Sequence, residues 1–174
     1  MSDHGQKRAS DLKNEKHVSF RDGIVALLPE LRAFARFLSR DRMRADDLVQ
    51  ETVVRAFASR DQFTDNTNLK AWSFTILRNL FYEHTRRCKR ERAILDEYGE
   101  RSHPEAVHDA ALSDLSDLNR LLWSLPVAQR EALTLVGAQG MSYEEAARIC
   151  EVSVGTMKAR VSRARRFLNE SREG

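Results

Sequence analysis

The sequence predicts an all-α protein built from two small helical domains. Three observations carry that prediction. Apolar residues recur at three- and four-residue steps in several segments, strand-like alternation never lasts more than a few residues, and 7 Gly and 3 Pro in 174 residues leave the chain rich in helix formers. At about 150 residues per domain the length fits one medium or two small domains, without room for a large catalytic fold plus an accessory module. The composition disfavours an all-β sandwich and a glycine-looped nucleotide fold.

Taken in order, residues 1–17 are polar, with Lys7, Arg8, Lys13 and Lys16, and read as a flexible tail. From Phe20 the positions Ile24, Leu27, Leu28, Leu31, Phe34, Ala35 and Leu38 form the stripe of an amphipathic helix. A second helix follows Ala45, with Leu48, Val49, Thr52, Val53 and Phe57 on one side. The turn-rich run Asp61 to Asn68 leads into a third helix from Leu69 to about Arg92. That helix begins apolar and aromatic (Trp72, Phe74, Ile76, Leu77, Leu80, Phe81, Tyr82) and ends in Arg86, Arg87, Lys89, Arg90 and Arg92. Cations suit a helix C-terminus, but five within seven residues beyond an aromatic half fit nucleic acid better. Trp72 reads as core rather than as a stacking platform. Further helices are expected at about 115–124, at 127–138 with Pro126 in a first-turn position, at 143–150 and at 154–170. Ser142 and Glu145 have the spacing of a capping box. The predicted organisation is a tail over 1–17, a first domain over 18–92, a linker over 93–114 and a second domain over 115–174.

Net charge is only +3, too small to announce a nucleic-acid binder, but its distribution is uneven. Residues 1–92 hold 19 basic and 13 acidic side chains, residues 93–119 hold 1 and 7, and residues 120–174 hold 9 and 6. Two basic lobes are thus joined by an acidic connector containing Asp96, Glu97, Glu100, Glu105, Asp109, Asp114 and Asp117. Such a connector either stays solvated and spaces the domains, or repels DNA when it lies within about 8–10 Å of it.

Residues 143–166 have the pattern of two short helices around a three- to four-residue turn, with Ala147 small enough for a close crossing. On the second helix Val154, Met157, Val161 and Leu168 form the inward stripe. The outward set, which includes Thr156, Lys158, Ala159, Arg160, Ser162, Arg163, Arg165 and Arg166, has five cations and no acid. A helix fits the ~12 Å major groove, where Arg bonds guanine O6 and N7 together. Ala159, Ser162 and Arg163 share a face and are the base-reading candidates. Lys158, Arg160 and Arg165 flank it as phosphate ligands.

Catalytic constellations are missing from the sequence, so no enzyme activity is expected and no cofactor. His84 and Cys88 stand four apart, but a structural zinc site needs four ligands and no second pair is near, so no metal is expected. Cys88 and Cys150 suit a reducing compartment. No run approaches the ~18 apolar residues of a membrane span and the first 20 residues lack a signal-peptide core, so a cytoplasmic protein with no membrane partner is expected. What remains is a DNA-binding helix-turn-helix protein, of which a stand-alone dimeric regulator binding two half-sites is one form.

Four motifs carry a family resemblance. Asp46-Asp47-Leu48-Val49-Gln50-Glu51-Thr52, the run Asn68 to Asn79 (NLKAWSFTILRN), Tyr143-Glu144-Glu145-Ala146-Ala147 and Val154-Gly155-Thr156-Met157-Lys158 resemble the extracytoplasmic-function sigma factors of bacterial RNA polymerase. TNLKAWSFTILRN with QREALTLVGAQGMSYEEAARIC is similar to the alphaproteobacterial general-stress-response, EcfG-like type. The resemblance implies a first domain for core polymerase and the −10 element, and a second for the −35 element. It implies that Asp46, Asp47, Leu48, Gln50, Glu51 and Arg55 dock on core polymerase. Asp61, Thr67, Asn68, Lys70, Arg78, Asn79, Arg86 and Arg87 would hold the −10 strand. Arg130, Thr156, Lys158, Ala159, Arg160, Ser162, Arg163 and Arg165 would hold the −35 duplex. A flipped −10 base would sit in a polar pocket that reads its edge. The resemblance also implies an anti-sigma factor of the NepR type, itself titrated by a response regulator with a sigma-like domain. A receiver domain of ~120 residues does not fit beside two helical domains in 174, so the chain is expected to be the sigma factor rather than its mimic. Two positions depart from the family pattern. Glu151 stands where the turn often has Gly, so either the turn has another geometry or it tolerates about 1 kcal/mol of left-handed strain, and Ser73 replaces a common Leu.

Overall fold

The structure, a computed structural model, describes the backbone of residues 4–64, 67–97 and 116–173, and the side chains of residues 20–64, 67–94 and 120–171. Its elements are α1 (His4–Ser39), α2 (Arg42–Ala58), a 3₁₀ turn (Arg60–Gln62), α3 (Leu69–Glu97), α4 (Ser116–Ser124), α5 (Val127–Leu133) running into a π turn (Thr134–Ala138), α6 (Tyr143–Cys150) and α7 (Val154–Glu173). Among the described residues there is no strand.

Helices α1, α2 and α3 form the first lobe. Leu31, Phe34, Ala35 and Leu38 of α1 are buried as their spacing requires, against Ala45, Leu48 and Val49 of α2 and Phe74, Leu77 and Leu80 of α3, and Ile24 is buried with Phe20 and Ala56. Phe34 and Phe74 stack with ring centroids 5.0 Å apart. A second cluster gathers Phe20, Phe63 and Trp72, with Phe57 edge-on to Phe20. Trp72 is therefore packing the lobe, which leaves Phe57 at its margin, 43% exposed instead of on the buried side.

Two boundaries differ from the sequence expectation. Helical backbone begins at His4, inside the segment expected to be a flexible tail, because a polar segment without an apolar stripe can still be rich in helix formers. Helix α3 continues to Glu97, five residues into the expected linker. The remainder of that linker, with Glu100, Glu105, Asp109 and Asp114, lies outside the described residues.

Helices α4 to α7 form the second lobe. The capping box at α6 is in place: Glu145 N–H donates to Ser142 Oγ at 3.1 Å, and Ser142 N–H donates to Glu145 Oε2 at 3.0 Å. Pro126 stands one position before the helix, as N-cap of α5. The α6–α7 turn is left-handed at Glu151 (φ 55°, ψ 44°), with Val152 N–H donating to the Ala147 carbonyl at 3.0 Å. That hydrogen bond closes the helix end, and the turn accepts the strain of a side chain where Gly is favoured.

The lobes are packed on one another. Leu31, Phe34 and Leu77 from the first belong to the same buried cluster as Leu135, Ile149 and Cys150 from the second. Helix α3 lies against α6, and α1 against α5.

Candidate nucleic-acid interface

Ser153 ends the turn as the N-cap of α7, accepting the Thr156 N–H at 3.1 Å. Met157, Val161 and Ala164 then bury one side of α7 against α5 and α6. The helix is thereby rotated so that Thr156, Lys158, Ser162, Arg163 and Arg165 are exposed, with Ala159 and Arg160 half-buried. Lys158 Nζ lies 5.8 Å from the Tyr143 ring, a cation–π contact that holds the exposed ammonium over α6. Tyr143 was not singled out by sequence.

Arg130 does not join this face. It is 2% exposed, its guanidinium donates to the Leu125 carbonyl at 3.2 Å and it lies 5.3 Å from the Trp123 ring. Burial, with the Arg40 charge nearby, pulls its pKa down to about 10. Here the expected −35 ligand is a structural post, because α5 turns its second half into the lobe and carries Arg130 with it.

On the first lobe, Asp61 and Thr67 are exposed in the loop before α3, and Thr67 Oγ1 donates to the Thr64 carbonyl. Asn79, Arg86 and Arg87 are exposed on α3, Asn79 and Arg86 seven residues apart on one face. Asn68 is the N-cap of α3, its Oδ1 accepting the Ala71 N–H at 3.1 Å. Asn68, Lys70 and Arg78 are the expected −10 ligands that reach the second lobe. Asn68 Nδ2 donates to Glu145 Oε1 at 2.7 Å, and Lys70 Nζ to the Gln139 carbonyl at 2.9 Å while also pairing with Glu30. Arg78 Nε donates to Glu131 Oε1 at 2.7 Å, and the Tyr82 hydroxyl to Glu131 Oε2 at 3.2 Å.

Glu131 is fully buried, and burial pushes its carboxyl above the usual carboxylate range despite the Arg78 charge. The same burial, with Glu131 adjacent, pushes the Tyr82 hydroxyl and the Cys150 thiol each up to about 12, so both stay neutral at physiological pH. Sequence reasoning passed over Glu131. Its signal was an acid four residues after Val127 and four before Leu135, on the apolar side of its helix.

The polymerase-docking candidates occupy α2. Asp47, Gln50 and Arg55 are exposed and Asp46 and Glu51 half-buried, whereas Leu48 is 2% exposed and supports the helix from inside. Leu48 is thus corrected from docking residue to core residue, since its place in the heptad-like stripe with Thr52 faces α1 and α3. Met43, 78% exposed, and Val54, 67% exposed, continue the Asp47 and Gln50 face at steps of four, three and four. Both were missed, being apolar residues among charges. His84 Nε2 lies 2.8 Å from Glu51 Oε2, which ties α3 to α2.

A capped helix-turn-helix with an outward cationic helix, joined to a second helical lobe with its own basic face, defines a two-domain DNA-binding transcription protein. The chain matches the family "Sigma-70 region 2" over residues 24–91 and "Sigma-70, region 4" over residues 115–168. It is 49% identical over 151 residues, 87% of this chain and 83% of the relative, to the ECF RNA polymerase sigma factor EcfG of Rhodopseudomonas palustris. The sigma factor RpoE of Bartonella quintana, solved with the anti-sigma factor NepR, has a similar structure (TM-score 0.74, 47% identity, 87% of this chain and 95% of that one). So does CnrH, solved with the cytosolic domain of CnrY (TM-score 0.70, 25% identity, 90% of this chain and 89% of that one). This chain belongs to the ECF RNA polymerase sigma factors. No helix among the described residues is long and apolar enough to cross a membrane.

Proposed function

We propose that the chain is the sigma factor of a general stress regulon, acting in the cytoplasm without enzymatic activity and held in check by an anti-sigma factor of the NepR type. The observation that carries the reading is the pair of separate basic faces, on α3 and on α7, each mounted on its own helical lobe. One face reads a duplex in the major groove. The other suits an opened strand, where polar groups and cations contact bases and phosphates that the duplex hides. Residues 18–92 form the polymerase and −10 domain, 93–114 the connector and 115–174 the −35 domain.

In this reading Asp47, Gln50 and Arg55, flanked by Met43 and Val54, meet core polymerase through a mixed polar and apolar surface. Asp61, Thr67, Asn68, Lys70, Arg78, Asn79, Arg86 and Arg87 hold the −10 strand, and Thr156, Lys158, Ala159, Arg160, Ser162, Arg163 and Arg165 the −35 duplex. Similarity to EcfG and to the NepR-bound RpoE supports stress control through an anti-sigma factor. Release by a response regulator with a sigma-like domain completes the circuit. Purified chain with core polymerase is expected to transcribe from a promoter carrying both elements, and to lose that transcription when either element is scrambled or when the NepR-type inhibitor is added. Transcription indifferent to the −35 sequence would sink the assignment.

A further inference from the structure

Asp61, Thr67 and Asn68, assigned to the −10 strand, stand on a platform of residues that have no part in the contact itself. Phe20 of α1, Phe63 before α3 and Trp72 of α3 form a triangle of rings with centroids 5.6, 5.2 and 6.0 Å apart. Arg60 covers it. Its guanidinium lies 4.7 Å from the Phe20 ring and 5.8 Å from the Phe63 ring, within cation–π reach of both. Arg60 and Phe63 are also fastened to one another twice. The Phe63 N–H donates to the Arg60 carbonyl at 3.1 Å, and Arg60 Nη1 donates to the Phe63 carbonyl at 3.3 Å. With Phe63 seated among the rings, the two residues between them, Asp61 and Gln62, are turned out to solvent.

The start of α3 is fixed by space rather than by charge. Thr67 is held to the Thr64 carbonyl by its N–H at 2.9 Å and its Oγ1 at 2.7 Å, and Asn68 caps the helix that Leu69 begins. Leu69 reaches into the space that a side chain on Gly23 would fill. A Cβ there would stand 2.5 Å from Leu69 Cδ2, closer than carbon atoms pack. A residue without a Cβ lets α1 pass this near to the start of α3. Leu69, Phe63 and Trp72 pack against the same buried cluster around Phe20, so both anchors act on one platform.

We propose that Arg60 and Gly23 are positioning residues for −10 recognition: Arg60 clasps Phe63, Gly23 seats Leu69, and together they hold Asp61, Thr67 and Asn68 in the arrangement that meets an unstacked base. Neither touches the strand. Polar groups fixed before the strand arrives need no ordering on binding, and a wrong base cannot draw them into a different arrangement. The anchors therefore act on discrimination between bases. The proposal rests on the −10 assignment above.

The test uses holoenzyme made with the full chain, and promoter fragments melted over the −10 element that differ by single bases in the −10 strand or in the −35 duplex. Arg60→Met keeps an unbranched side chain over the rings and removes the charge and the donors. Arg60→Lys keeps a charge and a donor. Gly23→Val fills the space of Leu69. Where Arg60→Met or Gly23→Val loses its helices by circular dichroism, the same ratio is read in Arg60→Gln or Gly23→Ala. Wild type is expected to prefer the right base by about tenfold at its best-read −10 position. In Arg60→Met and Gly23→Val that preference is expected to fall to about twofold with the −35 preferences unchanged, and in Arg60→Lys to recover most of its value. A merely structural role would lower the melting temperature and leave the preference alone, since preference is a ratio of two affinities of the same folded protein. Arg60→Met with wild-type −10 preferences, or with −10 and −35 preferences lowered alike, overturns the role of Arg60, and the same results in Gly23→Val overturn that of Gly23. Asp61→Ala, Thr67→Ala and Asn68→Ala separate the two levels. If all three keep wild-type −10 preferences, the −10 assignment itself fails and the proposal with it. If they lose those preferences while Arg60→Met and Gly23→Val do not, the positioning role alone fails.

Discussion

Arg163 and Lys158 are both exposed on α7 but present different chemistry. Arg163 offers a planar fork that can bond two acceptors of one guanine, whereas Lys158 is a point charge held beside Tyr143. Arg163→Ala is expected to cost about 1–3 kcal/mol of promoter affinity and to relax specificity at one −35 position. Lys158→Ala should weaken all sequences alike and flatten the salt dependence. Equal losses on every sequence for both changes would contradict these roles, as measured by holoenzyme binding to a set of single-base −35 variants. Glu151 carries a prediction about stability alone. It holds an exposed left-handed turn, so Glu151→Gly should raise stability by up to about 1 kcal/mol and the melting temperature by about 2–4 °C. A fall in melting temperature would show that the side chain does more than tolerate its backbone.

Among the elements, α6 shows how a local signal fixes a functional geometry. Its capping box sets the first turn, and the same Glu145 carboxylate that accepts from Ser142 also accepts from Asn68. The Ser142 backbone hydrogen bond, with Asn68 adding to it, holds that carboxyl below its usual range. Ser142→Ala is expected to cost about 1 kcal/mol in thermal or denaturant unfolding. An unchanged midpoint would mean that packing alone sets the helix start. This element was legible in sequence because a cap is local: four residues carry the whole signal. The apolar stripes of α1 and α7 were legible for the same reason. Arg130 and Leu48 were misplaced because their roles depend on which way a helix is turned by partners distant in sequence. Glu131 went unseen because a buried acid makes sense only once Arg78, 53 positions away, is brought beside it. The α3 overrun to Glu97 reflects a different limit, since charged residues continue a helix as readily as they form a linker.

For the whole molecule, the charge pattern of two basic lobes and an acidic connector goes with a buried acid where the lobes meet. Glu131 gives folding a proton linkage. Its carboxyl is raised above the ordinary value by burial in the folded chain, so folding takes up protons. The groups facing it, Arg78, Tyr82 and Cys150, hold one charge state across pH 5 to 8. The contribution of Glu131 to stability is therefore complete below the ordinary carboxylate value of 4.5 and fades as pH rises through its raised value. The melting temperature of wild type relative to that of Glu131→Gln is expected to fall as pH rises within the folded range, and a relative rise would reverse the sign.

The central claim is that this sigma factor reads a promoter through two separate faces, α3 for the −10 strand and α7 for the −35 duplex, when it is bound to core polymerase. It is tested most directly by titrating one promoter fragment, melted over its −10 element, with the chain alone and with the chain plus core polymerase at fixed salt. The account predicts weak binding by the free chain and tight binding by the holoenzyme that depends on both elements. Free chain that already discriminates the −10 sequence as well as holoenzyme does would contradict it.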